Sequence, residues 1–238
     1  MDFYPIFSGA AIEAMIRGPF VWGAFIVCGL GIVLRCARLM RMTRKRSVPQ
    51  PVFEIPPGPV GFIGQIRRWR IFLRISVLGT APCMTVISFI FHACVIAMPV
   101  FVMAHNVLLD AAFGFSSVSL PEAATDAMTV AVLFCGIFFL LRRIWVRRVR
   151  VISTPSDFIL LAVAVGPFLT GFLAYHHLLD YQMMVTLHIL SAEILLIMIP
   201  FSRFSHMIFF FISRLLIVGE HSRKSARRVW RYQSAGGH

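Results

Sequence analysis

The sequence predicts an all-α membrane protein of five transmembrane helices, and three observations carry that reading. Only 14% of the 238 residues are charged, against about 25% in ordinary soluble domains. The apolar residues, 58% of the chain, gather into long runs rather than the short periodic groups of a soluble core, and the mean hydropathy is +0.82. The basic residues sit in clusters between those runs. Runs of about 20 apolar residues match the thickness of a bilayer's hydrocarbon. Backbone groups in lipid must be satisfied within the segment, so the runs read as helices. The alternating ten-residue strands of a membrane β-barrel are absent from the pattern.

Taken in order, the spans fall at 19–38, 78–107, 127–144, 157–175 and 182–203. The first follows MDFYPIFSGAAIEAMIRG, which has no basic stretch ahead of an apolar core. It is therefore expected to be a retained helix and not a cleaved leader. A cytoplasmic loop over 39–77 follows, and its segment SVPQPVFEIPPGPVGFIG (47–64) holds five prolines and reads as irregular. An outer loop is expected over 109–125, running into LPEAATD. After the fifth span, a tail over 207–238 begins with the apolar run MIFFFISRLLIV and ends basic. That run is too short to cross a bilayer, and a helix lying at the inner surface or on a partner is expected instead. The whole chain is read as one transmembrane domain.

Charge sets the orientation. With five spans, all of the 23 Lys and Arg residues except Arg17 fall on one side. They occupy the loop after the first span, the loop after the third (Arg142, Arg143, Arg147, Arg148, Arg150) and the tail from Arg203 to Arg231. Asp2, Glu13, Asp110, Glu122, Asp126 and Asp180 fall on the other side. Basic residues stay cytoplasmic, so the N-terminus is periplasmic and the C-terminus cytoplasmic. An even number of spans would break this agreement. The net charge of +13 thus concerns topology and anionic lipid, not nucleic acid. The expected location is the bacterial inner membrane. Trp22, Trp69, Trp145 and Trp230 mostly fall near span ends, as interfacial anchors do. Cys28, Cys36, Cys83, Cys94 and Cys135 form no CxxC pair and no CxxCH motif. They read as small packing residues.

Chemistry is carried by histidine. His92 and His105 lie on the second span, His188 on the fifth and His206 just past its inner end. Ionisable groups inside a bilayer are rare and face the bundle interior. Two spans that each carry two well-separated histidines suggest two bis-histidine haems, held between the second and fifth helices. The 13 positions from His92 to His105 are about 20 Å of helix, and the 18 from His188 to His206 are about 27 Å and five full turns. Depth pairs His92 with His206 on an inner haem iron, and His105 with His188 on an outer one. Thirteen positions are not a whole number of turns, and Pro99 between them is expected to kink the helix and re-aim His105. The bland alternative is four buried histidines satisfied by hydrogen bonds.

At the fifth span the sequence resembles a known family. LHILSAEILLIMIPFSRFSHM (187–207) looks like the last span of the respiratory nitrate reductase gamma subunit family, a di-haem cytochrome b family. The shared features are a His, a Pro-Phe-Ser-Arg element and a second His three residues after the Arg. Here these are His188, Pro200 to Arg203, and His206. FHACVIAMPVFVMAH (91–105) and TPSDFILLA (154–162) resemble its second span and the start of its fourth. The likeness covers roughly 85–215. The spacing of His92 and His105 is wider than in the nitrate reductase version. It is closer to the membrane cytochrome b subunits of sulfate-reducer transmembrane redox complexes, and it keeps His176 or His177 open as the outer ligand in place of His105.

The resemblance implies two haem b groups passing electrons across the membrane. It implies a periplasmic multihaem cytochrome c or menaquinol on one side and a cytoplasmic, heterodisulfide-reductase-like iron–sulfur subunit on the other. With no cluster motif and no nucleotide fingerprint of its own, the chain is expected to be an electron-transfer subunit of an oxidoreductase complex that is not catalytic alone. Arg203 is a candidate partner for a haem propionate. Glu193, mid-span, could take a proton from a quinol or only hydrogen-bond a neighbouring helix. Readings from other classes are a haem-free transporter or proton channel and a plain membrane anchor; the paired broken segments typical of transporters are not evident.

Overall fold

The computed structural model describes residues 9–44, 81–207 and 209. The proline-rich segment 47–64, residues 78–80 at the expected start of the second span, the tail beyond 209, Trp69 and Trp230 lie outside the described residues. The described residues form helices and no strand. In chain order these are α1 (Gly9–Arg17), α2 (Pro19–Arg44), α3 (Pro82–Phe101), α4 (Met103–Phe113), α5 (Glu122–Trp145), α6 (Arg147–Ile152), α7 (Pro155–Tyr175) and α8 (Tyr181–Phe201). A 3₁₀ turn, Arg203–Ser205, follows. Five stretches are long and apolar enough to cross a membrane: Ala11–Arg41, Pro82–Phe101, Glu122–Trp145, Pro155–Tyr175 and Tyr181–Phe201. The chain is an all-helical, multi-pass membrane protein.

Several boundaries differ from the sequence reading, and the helix of the first span, α2, runs on to Arg44, into the loop expected over 39–77. The second span is not one helix over 78–107. It breaks at Val102, whose ψ of 131° is extended. Pro99, three residues earlier, has no N–H to bond back into the helix. The carbonyls that the break strands are taken over by other groups. Pro99 O accepts from His105 Nδ1 at 3.2 Å. Val100 O accepts from Ser117 Oγ at 2.8 Å, and Phe101 O from Leu120 N at 2.9 Å. Buried Asn106 holds the same loop, with Nδ2 bonded to Ser119 Oγ (2.9 Å) and Oδ1 to Ser117 N (3.2 Å). The expected outer loop over 109–125 is correspondingly shorter. Helix α4 runs to Phe113 and ends on Gly114 in the left-handed region (φ 68°), and α5 begins at Glu122.

The fifth span also ends early. Pro200 and the extended Ser202 (φ −117°, ψ −171°) close α8 at Phe201. The helical phase from His188 therefore does not carry through to His206, contrary to the five-turn expectation. The PFSR element is a helix terminus: Ser202 Oγ accepts from Phe204 N at 3.2 Å and so caps the 3₁₀ turn.

The chain divides into two compact units, Met1–Ser47 with Glu193–His238, and Val48–Ala192, the division falling within α8. In the second unit α3 packs antiparallel on α5 through Met98 and Thr129, Phe91 and Phe139, and Ile87 and Cys135. Val132 at their centre is fully buried. Helices α5 and α7 form an antiparallel pair tied at both ends. Arg143 lies 3.8 Å from Asp157 at one end. Tyr175 donates to Glu122 (3.0 Å), and His176 Nε2 meets Asp126 (2.8 Å), at the other. A capping box between Thr154 and Asp157 starts α7. Gly136 permits the close approach, since a Cβ there would stand 2.8 Å from Val165.

In the first unit α2 meets the end of α8. A Cβ on Gly31 would lie 2.6 Å from the Pro200 ring. Arg35 Nη1 donates to Pro200 O (2.5 Å) and Ser202 O (3.3 Å), placing a cation on carbonyls that the helix end leaves open. The Arg35 guanidinium also stands 5.6 Å from the Phe209 ring centroid.

Candidate functional site

His105 and His188 come together in the second unit. The break at Val102 starts a new helix with His105 in its first turn, and α8 brings His188 to it. Their ring planes are 19° apart and their centroids 6.0 Å apart. His188 is seated by α7. Its Nδ1 lies 2.7 Å from Pro167 O, which also accepts from Thr170 Oγ1 at 3.2 Å. A Cβ on Gly171 would meet that ring at 3.0 Å from Nδ1 and 3.1 Å from Cε1. Any larger residue would press on the imidazole there.

The hydrogen bonds fix the tautomers. A backbone carbonyl can only accept, so each Nδ1 beside one carries the N–H, and in the neutral ring Nε2 keeps its lone pair. His188 and His105 both bond a carbonyl in this way, to Pro167 and Pro99. His92 does the same to Ser88 O (2.6 Å), and His206 to Arg203 O (2.6 Å). Metal-ligating histidines characteristically anchor the second nitrogen on such an acceptor.

The other residues singled out in the sequence are spread over both units. His92 is half-buried on α3 in the second unit; His206 is exposed just after the 3₁₀ turn in the first. Arg203 is exposed in that turn. Glu193 is buried, 5% exposed, and its Oε1 has no hydrogen-bond partner among the described residues. His176 and His177 are exposed at the end of α7. His176 Nε2 is engaged by Asp126 and its ring packs on Phe172 at 4.3 Å. His177 adopts a φ of 51° and lies 5.1 Å from Tyr181. The ring paired with His188 is thus that of His105. All five cysteines are free thiols. Among the described residues no group of three or more His, Cys, Asp or Glu could hold a metal ion.

No protein-family model matches the chain, and no solved structure matches it. A protein of Nitratidesulfovibrio vulgaris strain Hildenborough is 34% identical over 204 residues, covering 84% of this chain and 89% of that protein. The chain belongs to that protein's family. A match of this extent takes in the second, third and fourth spans wherever along the chain it begins. The matched length therefore spans the positions of α3 to α7.

Sequence reasoning missed Gly171, Pro167 and Asn106. A glycine in an apolar span signals a close approach, but not what approaches. Asn106 carried a signal that could have been used, as an amide at a span end beside a candidate ligand.

Proposed function

We propose that the chain is a di-haem b membrane subunit of a respiratory redox complex in a bacterial inner membrane, and that it passes electrons between the two faces. The observation that carries this is the His105–His188 pair. An imidazole nitrogen binds a first-row metal at about 2.0–2.1 Å. The two rings stand with centroids 6.0 Å apart and planes 19° apart, each with Nδ1 on a carbonyl and Nε2 keeping its lone pair, so the two would be the residues to hold one iron. The donor set therefore fits an outer haem b, which would supply one-electron chemistry when bound.

The residues around it hold and orient. Gly171 leaves room for the His188 ring and Pro167 O sets its tautomer. Asn106 and Ser117 pin the loop that closes over the broken helix. The inner pair, His92 and His206, is proposed from their matching sequence depth, with Arg203 as the propionate partner. Charge placement in the sequence supports a periplasmic N-terminus. The resemblance to the nitrate reductase gamma subunit family supports the partners: a periplasmic multihaem cytochrome c or menaquinol, and a cytoplasmic iron–sulfur subunit.

Haem quantification on the purified protein tests the reading. Two haems b per chain are expected, falling to one in His105→Ala and in His188→Ala and staying at two in His176→Ala. No bound haem, or a ratio indifferent to both His105 and His188, would overturn it.

A further inference from the structure

The corner between α5 and α7 takes no part in the haem reading, and it is built unlike a plain connection between two spans. Helix α5 ends at Trp145 and α7 begins at Pro155. Both are long and apolar enough to cross a membrane. Between them stands α6, set off at each end by an extended residue, Val146 (ψ 105°) and Ser153 (ψ 133°). The corner is fastened along its length. Val146 O accepts from Val149 N and Arg150 N, both at 2.9 Å. Ser153 Oγ donates to Val149 O at 2.8 Å, and Arg143 reaches across to Asp157 at 3.8 Å.

Arginine is concentrated here, with Arg142, Arg143, Arg147, Arg148 and Arg150 inside nine positions. The sequence has one carboxyl side chain between Asp126 and Asp180, that of Asp157, and Arg143 stands beside it. The other ion pairs among the described residues are Arg17–Glu13 and His176–Asp126. Arg147, Arg148 and Arg150 are exposed and have no carboxylate partner among the described residues. Their neighbours are apolar and open: Trp145 is 74% exposed, Val151 77% and Ile152 76%. Arg148, Val151 and Ile152 share a helix face, at i, i+3 and i+4. The charge thus stands beside the apolar side chains and not opposite them. Water alone disfavours that arrangement. A membrane surface favours it, because hydrocarbon and phosphate are offered at nearly one depth, and the long arginine side chain reaches from the first to the second. An acidic protein surface would satisfy the arginines, but the corner lies where two spans leave the hydrocarbon, which is the level of the headgroups.

We propose that this corner is a binding site for an anionic phospholipid. The headgroup phosphate lies on Arg147, Arg148 and Arg150, and the upper acyl chains lie on Trp145, Val151 and Ile152. A guanidinium pairs with phosphate through two parallel hydrogen bonds. A zwitterionic lipid brings its own cation to the same place and competes poorly. The site is independent of the haem reading and stands or falls apart from it.

Brominated lipids test it, because bromine quenches indole fluorescence only at close contact. The full-length protein carrying Trp22→Phe, Trp69→Phe and Trp230→Phe keeps Trp145 as its fluorophore. It is reconstituted in vesicles of equal parts phosphatidylglycerol and phosphatidylcholine, with one lipid or the other brominated. Brominated phosphatidylglycerol is expected to quench Trp145 more strongly, and an excess of inorganic phosphate should not reverse this. Each arginine near an anionic surface is worth about fivefold in affinity. Arg147→Gln with Arg148→Gln should therefore lower the preference by about 25-fold. Arg38→Gln with Arg41→Gln, on α2, should leave it unchanged. Equal quenching by the two lipids, a preference kept in the Arg147→Gln, Arg148→Gln protein, or reversal by inorganic phosphate overturns the inference. Absence of quenching by either lipid also overturns it, and shows that protein and not lipid covers the corner.

Discussion

Gly171→Ala probes the seat of His188 with a single methyl group. The added Cβ would lie 3.0 Å from Nδ1 and 3.1 Å from Cε1 of His188. Ordinary van der Waals contact between carbons begins at about 3.5 Å, so the ring must move by a few tenths of an ångström. It is poorly placed to do so. Its Nδ1 is bonded to Pro167 O at 2.7 Å, and in the proposed haem-bound protein its Nε2 holds iron. Losing or stretching the Nδ1 bond costs about 0.5–1.5 kcal/mol. Disturbing the group that orients a metal-bound histidine weakens metal affinity by about 10- to 100-fold. The expectation is that Gly171→Ala lowers retention of one of two haems about tenfold. The assay is transfer of haem from the purified protein to an excess of a haem-scavenging apoprotein, followed optically. The other haem, proposed to sit on His92 and His206, should leave at the wild-type rate. Unchanged transfer of both haems would refute the packing argument, and equal acceleration of both would show general loosening instead.

Three further perturbations test the frame that holds this seat. Asn106→Leu removes the amide that binds Ser117 and Ser119 and strands their donors; a loss of about 1–3 kcal/mol should appear as a lower thermal unfolding midpoint in detergent and faster cleavage within 114–121. Gly136→Leu drives a side chain into Val165, already 2.8 Å from where a Cβ would stand. Overpacking of that kind costs about 1–3 kcal/mol and should lower the same midpoint without selecting between the haems. Asp157→Ala deletes the capping box and the Arg143 contact; about 1 kcal/mol should be lost in the melt, with haem content unchanged.

The five spans were legible because length, apolarity and basic clusters act independently of tertiary contacts. Their ends were less so, since they depend on partners far along the chain. Pro99 announced a distortion, but the full break at Val102 exists because Ser117 and Leu120 return to take the stranded carbonyls. Nothing local to 99–105 shows that loop. Helical phase misled between His188 and His206 for a related reason. Pro200 was visible, but the extended Ser202 is held by Arg35 of another helix. His105 and His188 were singled out because a histidine in a span is rare. Pro167 and Gly171, which seat His188, are ordinary residues for a membrane helix. They acquire a role only from what packs on them.

The reduced-minus-oxidised visible spectrum of the purified protein bears most directly on the central claim. Two low-spin b-type haems per chain, one of them lost in His188→Ala together with its share of the α-band, is the predicted result. A protein that purifies folded and without any b-type α-band would contradict it.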